Sequence, residues 1–317
     1  MEEYEFEDVL AGSTVSCTFP RLVAQVAGDG RPRRTRTLFF PGCSLINYGL
    51  PLVQSVYGLL SEAGAVEGIS LLCCGKILSF EPDGKEVRAA FEQQLRERVA
   101  NAGVERIVAA CPNCVLALRA ALDCDERTAG VEVTALPAEL AALGYRIDGD
   151  VAARMLANEL VREETDVPPL FSVHDSCPDR ATGEFADGLR ALLPSDLFVE
   201  PEHCRRHSGC CGSLVRAAGK FELADEQSRQ RGAEAVSAGA EGIVAVCVSC
   251  AYQLSASQRR VPVFHYLELL YDWRIDWRNA DQYMKLRFLF DDSLGAEEAS
   301  GDTRPFMGLT PDAGKGA

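Results

Sequence analysis

Arg106-Ile107-Val108-Ala109-Ala110-Cys111-Pro112-Asn113-Cys114 is a short apolar run that ends in a C-x-x-C pair, and Gly242-Ile243-Val244-Ala245-Val246-Cys247-Val248-Ser249-Cys250 repeats it 136 positions later. Each run reads as a buried strand delivering its cysteines to the start of a helix. The cysteines upstream repeat as well. Cys73-Cys74-Gly75 returns as Cys210-Cys211-Gly212, and Cys43, after the strand-like Thr37–Phe40, returns as Cys177, after a strand over residues 170–174. The shifts are 177−43 = 134, 210−73 = 137 and 247−111 = 136. A nearly constant offset over ligand positions and their flanking strands indicates duplication of one unit. Strands alternate with helical segments in both copies, so the fold class is α/β with mostly parallel sheets. Equivalent cysteines follow strands, where open α/β sheets place their sites.

The domain plan follows. Residues 1–36 form an N-terminal arm, acidic at first and then rich in Pro and Arg. Residues 37–144 are the first cysteine-rich domain, 145–168 a helical connector and 169–275 the second cysteine-rich domain. Residues 276–317 are a tail expected to be flexible beyond about residue 290, where Gly, Ser, Asp and Glu leave little to pack. Trp273 and Trp277 read as packing anchors.

With 47% hydrophobic and 25% charged residues among 317, the chain has material for two globular cores. Its formal charge of −15 opposes nucleic acid and anionic membrane surfaces as partners. It contains no uninterrupted apolar stretch of about 18 residues, so no membrane insertion is expected. Its first residues lack the pattern of a secretory signal, so a cytoplasmic location is expected. Thirteen cysteines in a reducing compartment point to metal or redox chemistry rather than to disulfides.

Each half supplies a single cysteine, a doublet and a C-x-x-C pair. The patterns are C-x29-CC-x36-C-x-x-C and C-x32-CC-x35-C-x-x-C. Adjacent cysteines suit a centre with several metal atoms better than one tetrahedral zinc, and a helix beginning at C-x-x-C aims free N–H groups at the sulfurs. Iron–sulfur clusters need such thiolates. Structural zinc, in one half or both, and plain thiols are the alternatives.

Phe40-Pro41-Gly42-Cys43, the two doublets and the two C-x-x-C pairs resemble the duplicated CCG domains of heterodisulfide reductase, in its B-type and related D-type chains. The same domain occurs in iron–sulfur subunits linked to glycerol 3-phosphate, lactate and glycolate oxidation. The resemblance implies two halves related by a pseudo-twofold axis, each holding a noncubane [4Fe–4S] cluster. Cys43, Cys73, Cys74, Cys111 and Cys114 would hold one; Cys177, Cys210, Cys211, Cys247 and Cys250 would hold the other. It also implies clusters facing each other across the interface, with a disulfide reduced, or thiols oxidised, between them.

The second doublet continues as Ser213-Leu214, where many members of that family have further glycines, and Lys76 follows the first. Lys76 suits an anionic substrate, or is simply solvated. His174-Asp175 precedes Cys177 and reads as an accessory proton donor or hydrogen-bonding group, or as a turn. His203, Cys204 and His207 imitate a small zinc site. Cys17 and Cys124 have no repeat partners and read as packed thiols. The chain has no ferredoxin-type cysteine run and no dinucleotide-binding fingerprint. A ferredoxin-like iron–sulfur subunit, with or without a flavoprotein, is therefore the expected partner. The competing reading is an electron-transfer subunit of a flavin-dependent lactate, glycolate or glycerol-3-phosphate dehydrogenase-type complex.

Overall fold

The computed structural model describes residues 1–20, 24–80, 84–160, 168–275 and 277. The first half runs β1 (Glu2–Asp8), β2 (Ser13–Phe19), β3 (Ala24–Gly28), β4 (Thr37–Phe40), α1 (Cys43–Tyr48), α2 (Leu50–Glu62), β5 (Gly68–Ile69), α3 (Gly84–Ala102), β6 (Arg106–Ala109), α4 (Pro112–Leu122), β7 (Glu132–Ala135) and α5 (Leu136–Ala142). Helix α6 (Gly149–Ala157) connects it to the second half. There the order is β8 (Phe171–His174), α7 (Glu184–Leu192), β9 (Phe198–Val199), α8 (Ser213–Ala217), α9 (Phe221–Ser237), β10 (Gly242–Ala245), α10 (Val248–Ser257), β11 (Val263–His265) and α11 (Tyr266–Tyr271).

The halves share one strand order. The first sheet contains β5-β4-β6-β7, paired in parallel, and the second is β9-β8-β10-β11, also parallel. Even the register repeats: Phe40 pairs with Ala109 and Ala109 with Ala135, as His174 pairs with Ala245 and Ala245 with His265. Leu38, Phe39 and Phe40 are all fully buried, as are the residues of β10, because helices cover both faces of such sheets.

Residues 1–36 are not an arm. β1, β2 and β3 form an antiparallel meander that extends the first sheet beyond β5, through the pairing of Asp8 with Ile69. β2 buries Ser13, Val15, Cys17 and Phe19 in strict alternation. Glu3, Glu5 and Glu7 occupy the outward positions of β1, so acidic composition there marks an exposed face and not a loop. Asp8 is buried at the joint, where its carboxylate accepts the N–H groups of Leu10 (3.1 Å), Ala11 (2.9 Å) and Leu71 (2.8 Å). Leu71 lies two residues before Cys73, so the meander helps to fix the first doublet.

The halves pack reciprocally. α1 lies on α10, while the 3-10 turn Cys177–Asp179, its counterpart, lies on α4; α5 packs on α7, as α11 packs on α2. Equivalent elements thus make equivalent contacts, which is the property of a pseudo-twofold interface. At its centre Ser44 and Ser249 share a hydrogen bond of 2.8 Å, and the rings of Tyr48 and Tyr252 stack at 5.3 Å. Gly188 allows α7 to approach α5 backbone to backbone, since a Cβ there would stand 2.5 Å from the Ala138 nitrogen.

Trp277 packs on Tyr48 with ring centroids 5.8 Å apart, and Trp273 on Phe19 at 5.9 Å. The expected flexible tail after residue 290 and connector residues 161–167 lie outside the described residues. No helix among the described residues is long and apolar enough to cross a membrane.

Candidate metal centre

The single cysteines and the C-x-x-C pairs stand at the heads of helices, and the doublets in the turns that follow β5 and precede α8. Cys43 opens α1, Cys177 opens the equivalent 3-10 turn, and Cys111 and Cys247 are the N-caps of α4 and α10. Cys114 and Cys250 follow within the first turn. The glycine of each doublet has a strict steric reason. Gly75 and Gly212 adopt φ of 73° and 96°, a region costly for residues with a Cβ. A Cβ on Gly212 would also stand 2.3 Å from the Ala224 carbonyl oxygen. In these turns Gly75 N–H points at the Cys73 sulfur (3.4 Å) and Gly212 N–H at the Cys210 sulfur (3.3 Å). The doublet-glycine motif is therefore a sulfur held by its own turn.

The ten thiols follow one another as interacting neighbours. Cys43 neighbours Cys73; Cys73 neighbours Cys74; Cys74 neighbours Cys114; Cys114 neighbours Cys111. Cys111 then meets Cys247 of the other half, and the order is retraced through Cys250, Cys211 (Sγ to Sγ 3.2 Å), Cys210 and Cys177. Each doublet thus lies beside its own C-x-x-C pair, and the two C-x-x-C pairs meet at the interface.

Crowding governs the charge of these thiols. The Cys73 thiol and burial push Cys43 well above the ordinary range, and Cys111, Cys74 and burial do the same to Cys114. Cys210 falls to about 2, chiefly because Cys177 and Cys211 hydrogen-bond to it, and Cys247 falls through Cys111 and Cys250. Most of these thiols are thus held in their protonated form, and deprotonating all five sulfurs of a half requires a concentrated positive charge among them. The surroundings fit a metal centre in other ways. A Cβ on Gly42 would stand 2.9 Å from the Cys114 sulfur, and the side-chain oxygen of Asn113 is buried without a hydrogen-bond partner among the described residues. Such a donor set defines an iron–sulfur or other metal-binding protein.

The first five cysteines themselves line a cleft of about 480 Å³, including its mouth, which is also bordered by Lys76 and Asn113 and, from the second half, by Ser213 and Leu214. Lys76 is half-buried at its edge. His174 is buried at the end of β8, with a ring nitrogen and the sulfurs of Cys211 and Cys250 all within 4.8 Å of one another. Burial pushes its pKa down to about 4, so it stands as a neutral imidazole at neutral pH, a hydrogen-bond donor more than a source of protons.

Asp175 has a structural task. Arg190 binds both of its carboxylate oxygens (2.7 and 3.0 Å) and the backbone N–H of Arg205 binds one of them as well. Ser208 donates to its carbonyl (2.7 Å), so Asp175 anchors the loop leading into Cys210. The residues His203, Cys204 and His207 do not gather: His203 pairs with Glu234 (2.7 Å), His207 lies against Arg206, and among the described residues the compact ligand triplet is His174, Cys211 and Cys250. Cys17 is buried in β2, its thiol pushed up to about 12 by burial. Cys124 is exposed, bonded to the Ala120 carbonyl, and so is not a packed thiol. Sequence reasoning missed Arg190, whose partners are distant in sequence, and Ser176, whose hydroxyl lies 3.7 Å from the Cys250 sulfur. Ser176 carried a signal, because its repeat equivalent is Gly42.

Fold and site together define a duplicated α/β protein that gathers metal-binding thiolates at the junction of its halves. The chain belongs to the cysteine-rich domain (CCG) family, whose pattern it matches twice, over residues 37–119 and 171–255. No curated protein matches it significantly. Among solved structures it is similar to glutamate racemase RacE1 from Bacillus anthracis, with 12% identity, 83% of this chain and 85% of that one covered, and a TM-score of 0.31. It is also similar to PH1733, an aspartate racemase homologue from Pyrococcus horikoshii, with 16% identity, coverage of 81% and 99%, and a TM-score of 0.30. Likeness at that level carries no functional weight.

Proposed function

We propose that the chain is an iron–sulfur oxidoreductase subunit that reduces a small disulfide, or oxidises the corresponding thiols, as B-type chains of heterodisulfide reductase do. The observation that carries this reading is the gathering of ten neighbouring thiols, five from each half, which meet at Cys111 and Cys247. Five thiolates exceed what one tetrahedral zinc takes and suit a [4Fe–4S] cluster of the noncubane kind, with Cys43, Cys73, Cys74, Cys111 and Cys114 holding one and Cys177, Cys210, Cys211, Cys247 and Cys250 the other. Such clusters supply one-electron transfer, and two of them match the two electrons that a disulfide consumes.

The residues around them have distinct tasks. Gly75 and Gly212 fix the doublets and aim N–H groups at their sulfurs. The cleft lined by the first five cysteines is where their cluster would sit, and Lys76 at its edge favours a substrate that brings a carboxylate or a similar anion to its mouth. Ser213 and Leu214 close that cleft from the other half, so binding there depends on both halves. Reduction takes two electrons and two protons to two thiols; the electrons come from a ferredoxin-like iron–sulfur subunit, alone or with a flavoprotein, and the protons from water at the mouth of the cleft.

The test is composition followed by turnover. Anaerobically prepared chain is expected to hold about eight irons and an equal amount of acid-labile sulfide. Zinc without sulfide would overturn the reading. Disulfide turnover in the complete complex supports reductase activity; a co-purifying flavin dehydrogenase with no spectral response to disulfide would assign the chain to electron relay instead.

A further inference from the structure

The duplication keeps the cysteines and their backbone donors but not the side chains behind them. At the register position where β8 ends in His174, β4 ends in Phe40: each pairs with the alanine two residues before its C-x-x-C, Ala245 or Ala109. Ser176, before Cys177, takes the place of Gly42, before Cys43. At the next strand His265 takes the place of Ala135, close enough to Cys247 to interact with it electrostatically. The first set of sulfurs therefore has a phenyl ring, a glycine and a methyl group where the second has an imidazole, a hydroxyl and a second imidazole.

These groups are placed to act on the sulfurs. His174 Nε2 is buried and makes no hydrogen bond with the described residues, and a nitrogen of this ring lies within 4.8 Å of both the Cys211 and the Cys250 sulfurs. The Ser176 hydroxyl is 3.7 Å from the Cys250 sulfur and is itself buried. Backbone donors are matched, since Gly75 and Gly212 serve Cys73 and Cys210 alike. The imbalance lies in the side chains.

Resting on the iron–sulfur reading above, we infer that the two centres differ in reduction potential, with the centre of the second half the more easily reduced because Ser176 hydrogen-bonds to the Cys250 sulfur and the unpartnered His174 imidazole is poised to donate to the sulfurs of Cys211 and Cys250. Donors to cluster sulfurs favour the more negative, reduced state and so raise the potential. A single electron added to the oxidised pair then resides on the second centre, and the first, at the open cleft, is filled last and is the stronger reductant. Several charges bear on this order. Arg231, which interacts electrostatically with His174, is bonded to Glu234. Asp175 would oppose it by its negative charge, but Arg190 is bonded to both of its oxygens. Lys76 would favour reduction of the first centre, but it borders an open cleft where water screens it, whereas His174 and Ser176 act from within the protein. His174 and Ser176 are positioning residues: they act on the cysteine ligands and not on the substrate.

The test is a redox titration of the anaerobic, iron-loaded chain, followed by EPR, with iron and sulfide counted on the same samples. Wild type is expected to show two separate one-electron steps. His174→Phe, which gives the second half the residue of the first, is expected to lower the higher step alone, by a tenfold change in its reduction equilibrium, about 59 mV for one electron. His174→Gln keeps an N–H donor and is expected to restore most of that shift, which a purely steric role would not predict. Ser176→Ala reads the same effect with little change in volume should the Phe variant lose iron. The inference is overturned if His174→Phe and Ser176→Ala leave both steps in place, or if they move the lower one. Wild-type protein that holds zinc and no sulfide would instead overturn the iron–sulfur reading on which it rests.

Discussion

Arg190→Met offers the sharpest test of how the second doublet is held. The Arg190 and Asp175 side chains are 7% and 2% exposed and are joined by two hydrogen bonds, while Arg190 also reaches Glu200 (2.5 and 2.6 Å). Methionine fills much of the volume but leaves the Asp175 carboxylate buried with only the Arg205 N–H. Stranding one partner of a buried pair costs about 3–5 kcal/mol. With a urea m-value of about 3 kcal/mol per molar, the unfolding midpoint falls by about 1–2 M. The measurement is urea unfolding of the anaerobic chain, compared at equal metal content. Two controls accompany it. Arg127→Ala, which breaks the surface Asp125–Arg127 pair, is expected to leave the midpoint in place. Asp175→Asn combined with Arg190→Met removes the stranded charge and is expected to recover most of the loss. A midpoint for Arg190→Met within about 0.2 M of wild type, on the same m-value scale, would refute the reasoning, as would a double variant as unstable as the sum of the singles.

Other perturbations follow from the same structure. Glu268 is fully buried, and burial pushes its pKa up to about 7 despite Arg274 at 2.7 Å. A carboxyl raised in the folded state contributes stability that is complete below its ordinary pKa, near 4.5, and is lost as pH rises through about 7. Relative to Glu268→Gln, wild type is therefore expected to lose about 3 kcal/mol across that window, read by urea unfolding at each pH. Taking the difference removes the opposite contribution of the buried, neutral His174 and His265. Asp8→Asn can no longer serve Leu71, Leu10 and Ala11 together; a cost of about 1–3 kcal/mol and faster hydrogen exchange at the Leu71 amide are expected. Gly188→Ala drives a Cβ into the α5 backbone and is expected to destabilise the chain, whereas Gly58→Ala, in α2 with open space, is expected to stabilise it by about 0.5–1 kcal/mol, both read as thermal midpoints. Cys210→Ser is expected to lose about half the bound iron, while Cys17→Ala and Cys124→Ser retain it, measured by iron and sulfide analysis.

The cysteine framework is legible in the sequence because its spacing is local and doubled: Cys111-Pro112-Asn113-Cys114 and Cys247-Val248-Ser249-Cys250 announce both the strand before them and the helix after. Matching strand order follows from the same repeat. The meander of residues 2–28 is hidden by composition, since Glu2, Glu3, Glu5 and Glu7 suggest a loop unless the alternation with Tyr4 and Phe6 is weighed first. The task of Asp175 cannot be read from its neighbours, because Arg190 and Arg205 reach it from 15 and 30 positions away. Cys124 reads as packing for want of a repeat partner, but its place beyond the last turn of α4 leaves it in solvent.

The reciprocal packing of the halves bears on how such a chain came to exist. Each C-x-x-C helix is covered by the first-cysteine segment of the opposite half, α4 by the turn at Cys177–Asp179 and α10 by α1. A single ancestral copy would have left that helix bare, and two copies related by a twofold axis would have covered each other in the same manner. Joining the copies through α6 replaced an encounter that depended on protein concentration with one built into a single translation product. Fusion also freed the two copies to diverge, and the exchange of Phe40 for His174 is a change that no symmetric dimer of identical chains could have made on one side only.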